Sequence, residues 1–254
     1  MGQKFVTSWL LSVLSFMLAP CVGSLVGVLV VRLPAGRPVL WARSVCAGCG
    51  RVLAPIELVP VFSYLRGRGR CRCGASAIGR FHIAIELAAV AVPLSALLMG
   101  QTGAVLWAGS LLGWALLALG AIDATTLRLP DALTLPLVPL GLFVTWRFAP
   151  AALTAHAAAT ALGYLAFMAL RLLWRSLRHI EAIGAGDAKL MAVAGAWLGL
   201  RAMPWVVLAA GAGGLLFAAA LMLSGRRIGA RTPIPFGAPL ALAIWAAWLL
   251  CGAG

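Results

Sequence analysis

Long apolar runs joined by short polar stretches dominate the chain. The runs cover roughly Phe5–Val31, Ile83–Leu98, Ala104–Ile122, Ala132–Trp146, Ala151–Leu170, Ala188–Leu200, Pro204–Leu223 and Phe236–Leu250. A straight helix needs about 20 apolar residues to cross a bilayer, and several runs fall short of that. Eight spans is nevertheless the count the pattern predicts. The first run follows Lys4, as the core of a cleavable signal would. It is longer than the roughly 7–15 apolar residues of such a core, so it is expected to span, ending where Pro34 interrupts the helix after Arg32-Leu33. The run from Ala188 is the weakest, and reaches spanning length only if the preceding Gly184-Ala185-Gly186-Asp187 enters the membrane. No internal repeat is evident.

Residues 32–80 form the one sizeable polar stretch, with nine Arg, Glu57, and four cysteines in two close pairs. A unit this small buries little apolar surface and usually needs a metal or disulfides to fold. Cys46-Ala47-Gly48-Cys49 and Cys71-Arg72-Cys73 have the pattern of a four-thiolate tetrahedral zinc site, set against free thiols or redox sensing as the alternative. Cys21 and Cys251 lie inside apolar runs and read as small packing residues. The expected organisation is a first transmembrane helix (1–31), a zinc-stapled cytoplasmic loop domain (32–80) and a transmembrane domain of about seven helices (81–254).

Composition strengthens the membrane assignment. Hydrophobic residues make up 63% and charged ones 10% of the 254, with mean hydropathy +1.03. A soluble domain carries about 25% charged residues. The formal net charge of +14 invites a nucleic-acid reading. In a polytopic protein, however, Lys and Arg collect in the loops that stay cytoplasmic. With eight spans and residues 32–80 inside, 17 of the 20 basic residues face the cytoplasm, and only Lys4, Arg147 and Arg201 lie outside. The charge therefore reports orientation. No nucleic-acid partner is expected; membrane lipid is. The reducing cytoplasm also disfavours disulfides in the cysteine loop.

The same topology brings two carboxylates to one membrane face, in a chain with only six acidic residues. Asp123 closes the third span and Asp187 opens the sixth. A carboxylate near hydrocarbon is costly and faces protein, water or a partner charge. Two that share a site hold a proton between them, which suits hydrolysis: one takes a proton from water while the other polarises a carbonyl. Gly184 and Gly186, without side chains, would let another backbone come close. Each feature also has a plain alternative: a Gly-x-Gly turn, a helix cap, an interfacial acid. Asp131, after Pro130, reads best as the N-cap of the fourth span.

Gly184-Ala185-Gly186-Asp187-Ala188-Lys189-Leu190, with Gly195-Ala196-Trp197-Leu198-Gly199 behind it, resembles the Gly-x-Gly-Asp block of the bacterial prepilin peptidases. Asp123 with Leu129-Pro130-Asp131-Ala132-Leu133-Thr134-Leu135-Pro136 resembles the first-aspartate block of that family. Pro233-Ile234-Pro235-Phe236-Gly237 resembles its ending, and Gly23-Ser24 through Arg32-Leu33-Pro34 its opening. The matches run from about residue 20 to 245. The resemblance implies an aspartic endopeptidase of the bacterial inner membrane, cleaving leader peptides from type IV prepilins or type II secretion pseudopilins, with Asp123 and Asp187 catalytic. It also implies methylation of the new N-terminus from S-adenosylmethionine, although the sequence lacks a nucleotide-binding strand–turn–helix pattern. The family has a similar cysteine loop with two residues inside each pair; here the second pair encloses one, and His82 reads first as a histidine at the interface where the second span begins, with a fourth-ligand role as the alternative should Cys73 not reach the metal. Gly27 stands where the family commonly has Asn. A presenilin-type protease shares Gly-x-Gly-Asp, but Ile122 rather than Tyr precedes Asp123. Outside enzymes, a scaffold or transporter would use Asp123 and Asp187 as a proton or cation relay.

Overall fold

The fold was obtained as a computed structural model, which describes residues 2–39, 45, 49–52, 54, 73, 80–178, 184–225, 229 and 234–251. Among these the chain forms eight α-helices: α1 (Gly2–Arg32), α2 (Arg80–Leu98), α3 (Gly103–Thr126), α4 (Asp131–Phe148), α5 (Leu153–Arg178, after a short 3-10 turn at Pro150–Ala152), α6 (Ala185–Leu198), α7 (Met203–Leu223) and α8 (Gly237–Cys251). Every predicted run appears as a helix, and among the described residues the named elements are all helical, those of an integral membrane protein. Among the described residues five stretches are long and apolar enough to cross a bilayer: Ser8–Arg32, Phe81–Leu98, Gly103–Thr126, Pro150–Leu177 and Met203–Leu223. The expected count of eight spans is not reached on this measure. At 14 residues, α6 extends only about 21 Å against a hydrocarbon core of about 30 Å.

The chain divides into two compact units, Met1–Ala118 and Leu119–Gly254, the boundary falling within α3. In the first unit α1 and α2 touch backbone to backbone. A Cβ on Gly23 would sit 2.7 Å from Glu86 Cα and 2.9 Å from Ala89 Cβ, so only glycine permits this contact. One turn on, the His82 ring lies against Gly27, with Nδ1 3.0 Å from where a Cβ would stand. Trp107 and Trp114 of α3 donate their indole N–H groups to the carbonyls of Leu11 and Ala89, both at 2.8 Å.

In the second unit α6 lies at the centre, with Ala188 and Leu190–Trp197 buried against α4, α5 and α8. Small residues again set the spacing. A Cβ on Gly195 would fall 2.5 Å from the backbone of Ala159 and Thr160. The Trp197 ring lies over Gly141, donates to the Leu137 carbonyl at 2.8 Å, and meets Trp248 edge to face at 5.5 Å. The outward sides remain apolar and exposed, as at Leu215, Leu216 and Leu223 of α7, which is what a lipid-facing helix presents.

Two expectations are corrected. Pro130, not Asp131, is the N-cap of α4; Asp131 is its first helical residue and makes no cap hydrogen bond. Helix α5 runs to Arg178, beyond the predicted end at Leu170. Arg171, Arg175 and Arg178 recur on one helix face, which ends the apolar run without ending the helix.

Of the cysteine loop, Val45 and Val52 form an antiparallel bridge, with a turn at Cys49 and Gly50 at φ +70° between them. Cys49 lies in that turn, exposed, and Cys73 is also exposed. Cys46 and Cys71 lie outside the described residues, and among the described residues no group of three or more metal-binding side chains comes together.

Candidate active site

The carboxylates of Asp123 and Asp187 are both buried, at 5% and 8% exposure, and both belong to the second unit. They lie within range of each other's charge. Each is held by the start of a helix, where N–H groups lack partners within the helix and favour negative charge.

Asp123 lies near the C-terminal end of α3. That helix closes at Leu127, in a left-handed conformation (φ +55°), whose N–H reaches the Asp123 carbonyl at 2.8 Å. The Asp123 carboxylate meets α8 end-on. Its Oδ2 accepts the Ala238 N–H at 2.9 Å, and a Cβ on Gly237 would stand 2.8 Å from its Cγ. Gly237 is thus the residue that lets the carboxylate approach the helix start.

Asp187 is the third residue of α6. Its Oδ2 reaches back to the N–H of Gly184 at 3.1 Å, the return half of a capping box, while its own N–H donates to the Gly184 carbonyl at 3.2 Å. The cap accounts for one oxygen of a two-oxygen acceptor, so a capping role and a chemical one coexist.

The segment linking α3 to α4 lies over both helix starts. Leu129 fills the space between Gly186 and Gly237: Cβ atoms there would come within 2.8 Å of its Cβ and 3.0 Å of its Cδ1, respectively. The glycines were expected to admit a foreign backbone. The face of Gly186 instead admits Leu129 of the same chain, and the vacant Cβ position of Gly184 borders Asp187 Oδ2 at 3.1 Å. Asp131, exposed, forms an ion pair with Lys189 of α6.

The structure therefore brings Asp123, Asp187, Gly184 and Gly186 into one neighbourhood and adds Gly237, Ala238 and Leu129. Sequence reasoning places Gly237 in a matching terminal block but assigns it no role. Its signal is a glycine behind Pro233 and Pro235 at the head of a helix. His156 is a half-buried packing histidine: Nδ1 lies 3.0 Å from both Thr145 Oγ1 and the Ala196 carbonyl. His179 lies outside the described residues.

A family model described as the type IV leader peptidase family matches residues 110–219, and one for the bacterial peptidase A24 N-terminal domain matches residues 17–99. A prepilin leader peptidase/N-methyltransferase of Burkholderia pseudomallei (strain 1026b) is 42% identical over 236 residues, covering 92% of this chain and 73% of its own length. Proteins with the same name from Pseudomonas aeruginosa and Aeromonas salmonicida (strain A449) are 37% and 32% identical. The first covers 82% of this chain and 71% of its own length, the second 95% and 91%. No solved structure matches the chain.

Proposed function

The chain belongs to the type IV leader peptidase family, and on that premise we propose that Asp123 and Asp187 are the acid–base pair with which it removes the leader from a prepilin. The enzyme is a membrane prepilin leader peptidase and N-methyltransferase: it cleaves the leader, then methylates the amine that cleavage exposes. The observation that carries the assignment of the pair is geometric. Two buried carboxylates 64 positions apart in the sequence lie within range of each other, each with one oxygen held by a helix-start N–H and neither paired with a cation among the described residues.

Neighbouring carboxylates share a proton, because both cannot ionise cheaply at short range. The ionised member takes a proton from a water molecule between them as the water oxygen bonds to the scissile carbonyl carbon. The protonated member donates a hydrogen bond to the carbonyl oxygen. Collapse of the tetrahedral species breaks the C–N bond, and the proton passes to the leaving amine. No covalent enzyme intermediate forms. Ala238 N–H and Gly184 N–H fix the two carboxylates beforehand, so little reorganisation is needed at the moment of reaction.

The finer reading places the enzyme in the bacterial inner membrane with both aspartates and the cysteine loop on the cytoplasmic side; the one-sided distribution of basic residues supports it. Substrates are type IV prepilins or type II secretion pseudopilins, and the methyl donor is S-adenosylmethionine, which the described residues provide with no strand–glycine turn–helix cradle. Structural zinc on Cys46, Cys49, Cys71 and Cys73 fits the paired thiols of the sequence, and of the four, Cys49 lies in a turn between the bridged Val45 and Val52. That ion would fix the loop's fold.

The test is co-expression of a prepilin with the wild type, Asp123→Asn and Asp187→Asn, following leader removal by gel shift. Each variant is expected to lose at least about 10²-fold in cleavage rate. Cleavage at the wild-type rate by either variant overturns the pair.

A further inference from the structure

Three residues of the α3–α4 link and its surroundings take no part in the mechanism above, namely Leu129, Asp131 and Lys189. Their placement gives them a role. Asp123 precedes the link and Asp187 stands at the head of α6, so the distance between the two carboxylates depends on how the link rests on α6. Two contacts determine that. The Leu129 side chain occupies the space between Gly186 and Gly237, which adjoin Asp187 and Asp123 respectively. The Asp131–Lys189 ion pair ties the first turn of α4 to the first turns of α6. Asp131 is not a helix cap, so its carboxylate is committed to this bond across 58 residues of sequence.

We infer that Leu129, Asp131 and Lys189 are positioning residues for peptide hydrolysis, Leu129 as the spacer between the helix starts that carry Asp123 and Asp187, and the ion pair as the latch that holds it there. The inference rests on the assignment of the aspartate pair above. Lys189 follows Asp187 by two positions, roughly 200° round the helix, so it is directed away from that carboxylate and is free to bind Asp131. An exposed ion pair adds little to global stability. Its loss should therefore leave the protein folded while letting the link shift, and a shift of about 1 Å at a reacting pair can cost about 10²-fold.

The experiment uses the full-length enzyme in detergent or proteoliposomes, measuring kcat and KM for prepilin cleavage and, in the same preparations, methyl transfer to an already cleaved pilin. Variants are Asp131→Asn, Lys189→Met, Leu129→Ala, the conservative Lys189→Arg, and the exchanged pair Asp131→Lys with Lys189→Asp, with Asp123→Asn as reference. Removing one latch partner should lower kcat about fivefold and Leu129→Ala about 10–100-fold, with KM little changed. Lys189→Arg and the exchanged pair should recover most of the loss, and methyl transfer to the cleaved pilin should persist throughout. If cleavage and methyl transfer fall together and the exchanged pair recovers neither, the residues serve folding alone and the inference is wrong. Wild-type cleavage kinetics in the latch and Leu129 variants overturn it too, provided Asp123→Asn is inactive. An active Asp123→Asn instead overturns the aspartate pair itself.

Discussion

Gly237→Ala is a sharp test of how Asp123 is held. The added Cβ would lie 2.8 Å from Asp123 Cγ and 2.9 Å from Oδ2. Ordinary carbon–carbon contact begins at about 3.5 Å, so one side must yield by roughly 0.7 Å. Asp123 cannot yield without lengthening its 2.9 Å bond to Ala238 N–H, and α8 cannot withdraw without disturbing Leu240, Ala241 and Ile244, which are buried along it. Overpacking of this kind costs about 1–3 kcal/mol of stability, which a folded membrane protein can survive. The larger effect falls on chemistry, where a displacement approaching 1 Å costs about 10²-fold. The assay is single-turnover leader cleavage by purified Gly237→Ala, with thermal unfolding in detergent on the same sample. The expected result is a cleavage rate down about 10–100-fold with a modest loss of stability. Leu129→Ala in addition should not rescue it, because the collision with Asp123 remains. Undiminished cleavage in a folded Gly237→Ala enzyme would refute the placement of Asp123 at the start of α8, and with it the way the pair is held.

Three further outcomes follow from the packing and the cysteine loop. Gly195→Ala drives a methyl into the backbone of Ala159 and Thr160 at 2.5 Å, so it should destabilise by about 3 kcal/mol or abolish folding, read as thermal unfolding in detergent; an unchanged midpoint means α5 and α6 do not touch there. Trp197→Phe keeps an aromatic ring but leaves the Leu137 carbonyl without its indole donor; a loss of about 1–2 kcal/mol is expected by the same measurement, and none would show the bond is not made. Elemental analysis of the purified protein should find zinc that Cys49→Ser loses; a zinc-free wild type removes the metal from the loop.

Much of this was legible in the chain, for identifiable reasons. Asp123 and Asp187 stood out because the protein has so few acids, and the distribution of Arg set them on one side before any geometry was known. Hydropathy located every helix but misjudged two kinds of end. At α5 it registered Arg171 as the end of the apolar run, although arginines on one face leave the backbone helical to Arg178. At α4 the rule that aspartate caps helices favoured Asp131, but Lys189, far off in sequence, binds that carboxylate instead and Pro130 occupies the cap. The contact of Asp123 with Gly237 and Ala238 bridges 115 residues, and no periodicity reports such a pairing. The glycines of the Gly-x-Gly block were given to a substrate because sequence shows where a side chain is missing, not what fills the space. At Gly186 the occupant is Leu129.

Why helix starts hold these carboxylates, rather than cations, follows from what the proposed acid–base reaction requires. An Arg or Lys beside either aspartate would keep it ionised and abolish the shared proton on which both acid and base roles depend. An unsupported carboxylate in an apolar wall would go to the other extreme and stay protonated. The N–H groups of a helix start lie between these, supplying directed hydrogen bonds and a fraction of a positive charge. Both aspartates have that support and, among the described residues, neither has a cation. Lys189, the basic residue nearest in sequence to Asp187, is engaged by Asp131. Its positive charge is thus met by Asp131 on a face of α6 turned away from Asp187. It follows that moving a cation inward, as in Ala188→Lys, should suppress cleavage even where the fold survives, whereas the uncharged Ala188→Met of similar length should suppress it less. Equal loss in the two would mean that bulk, not charge, is what the site excludes.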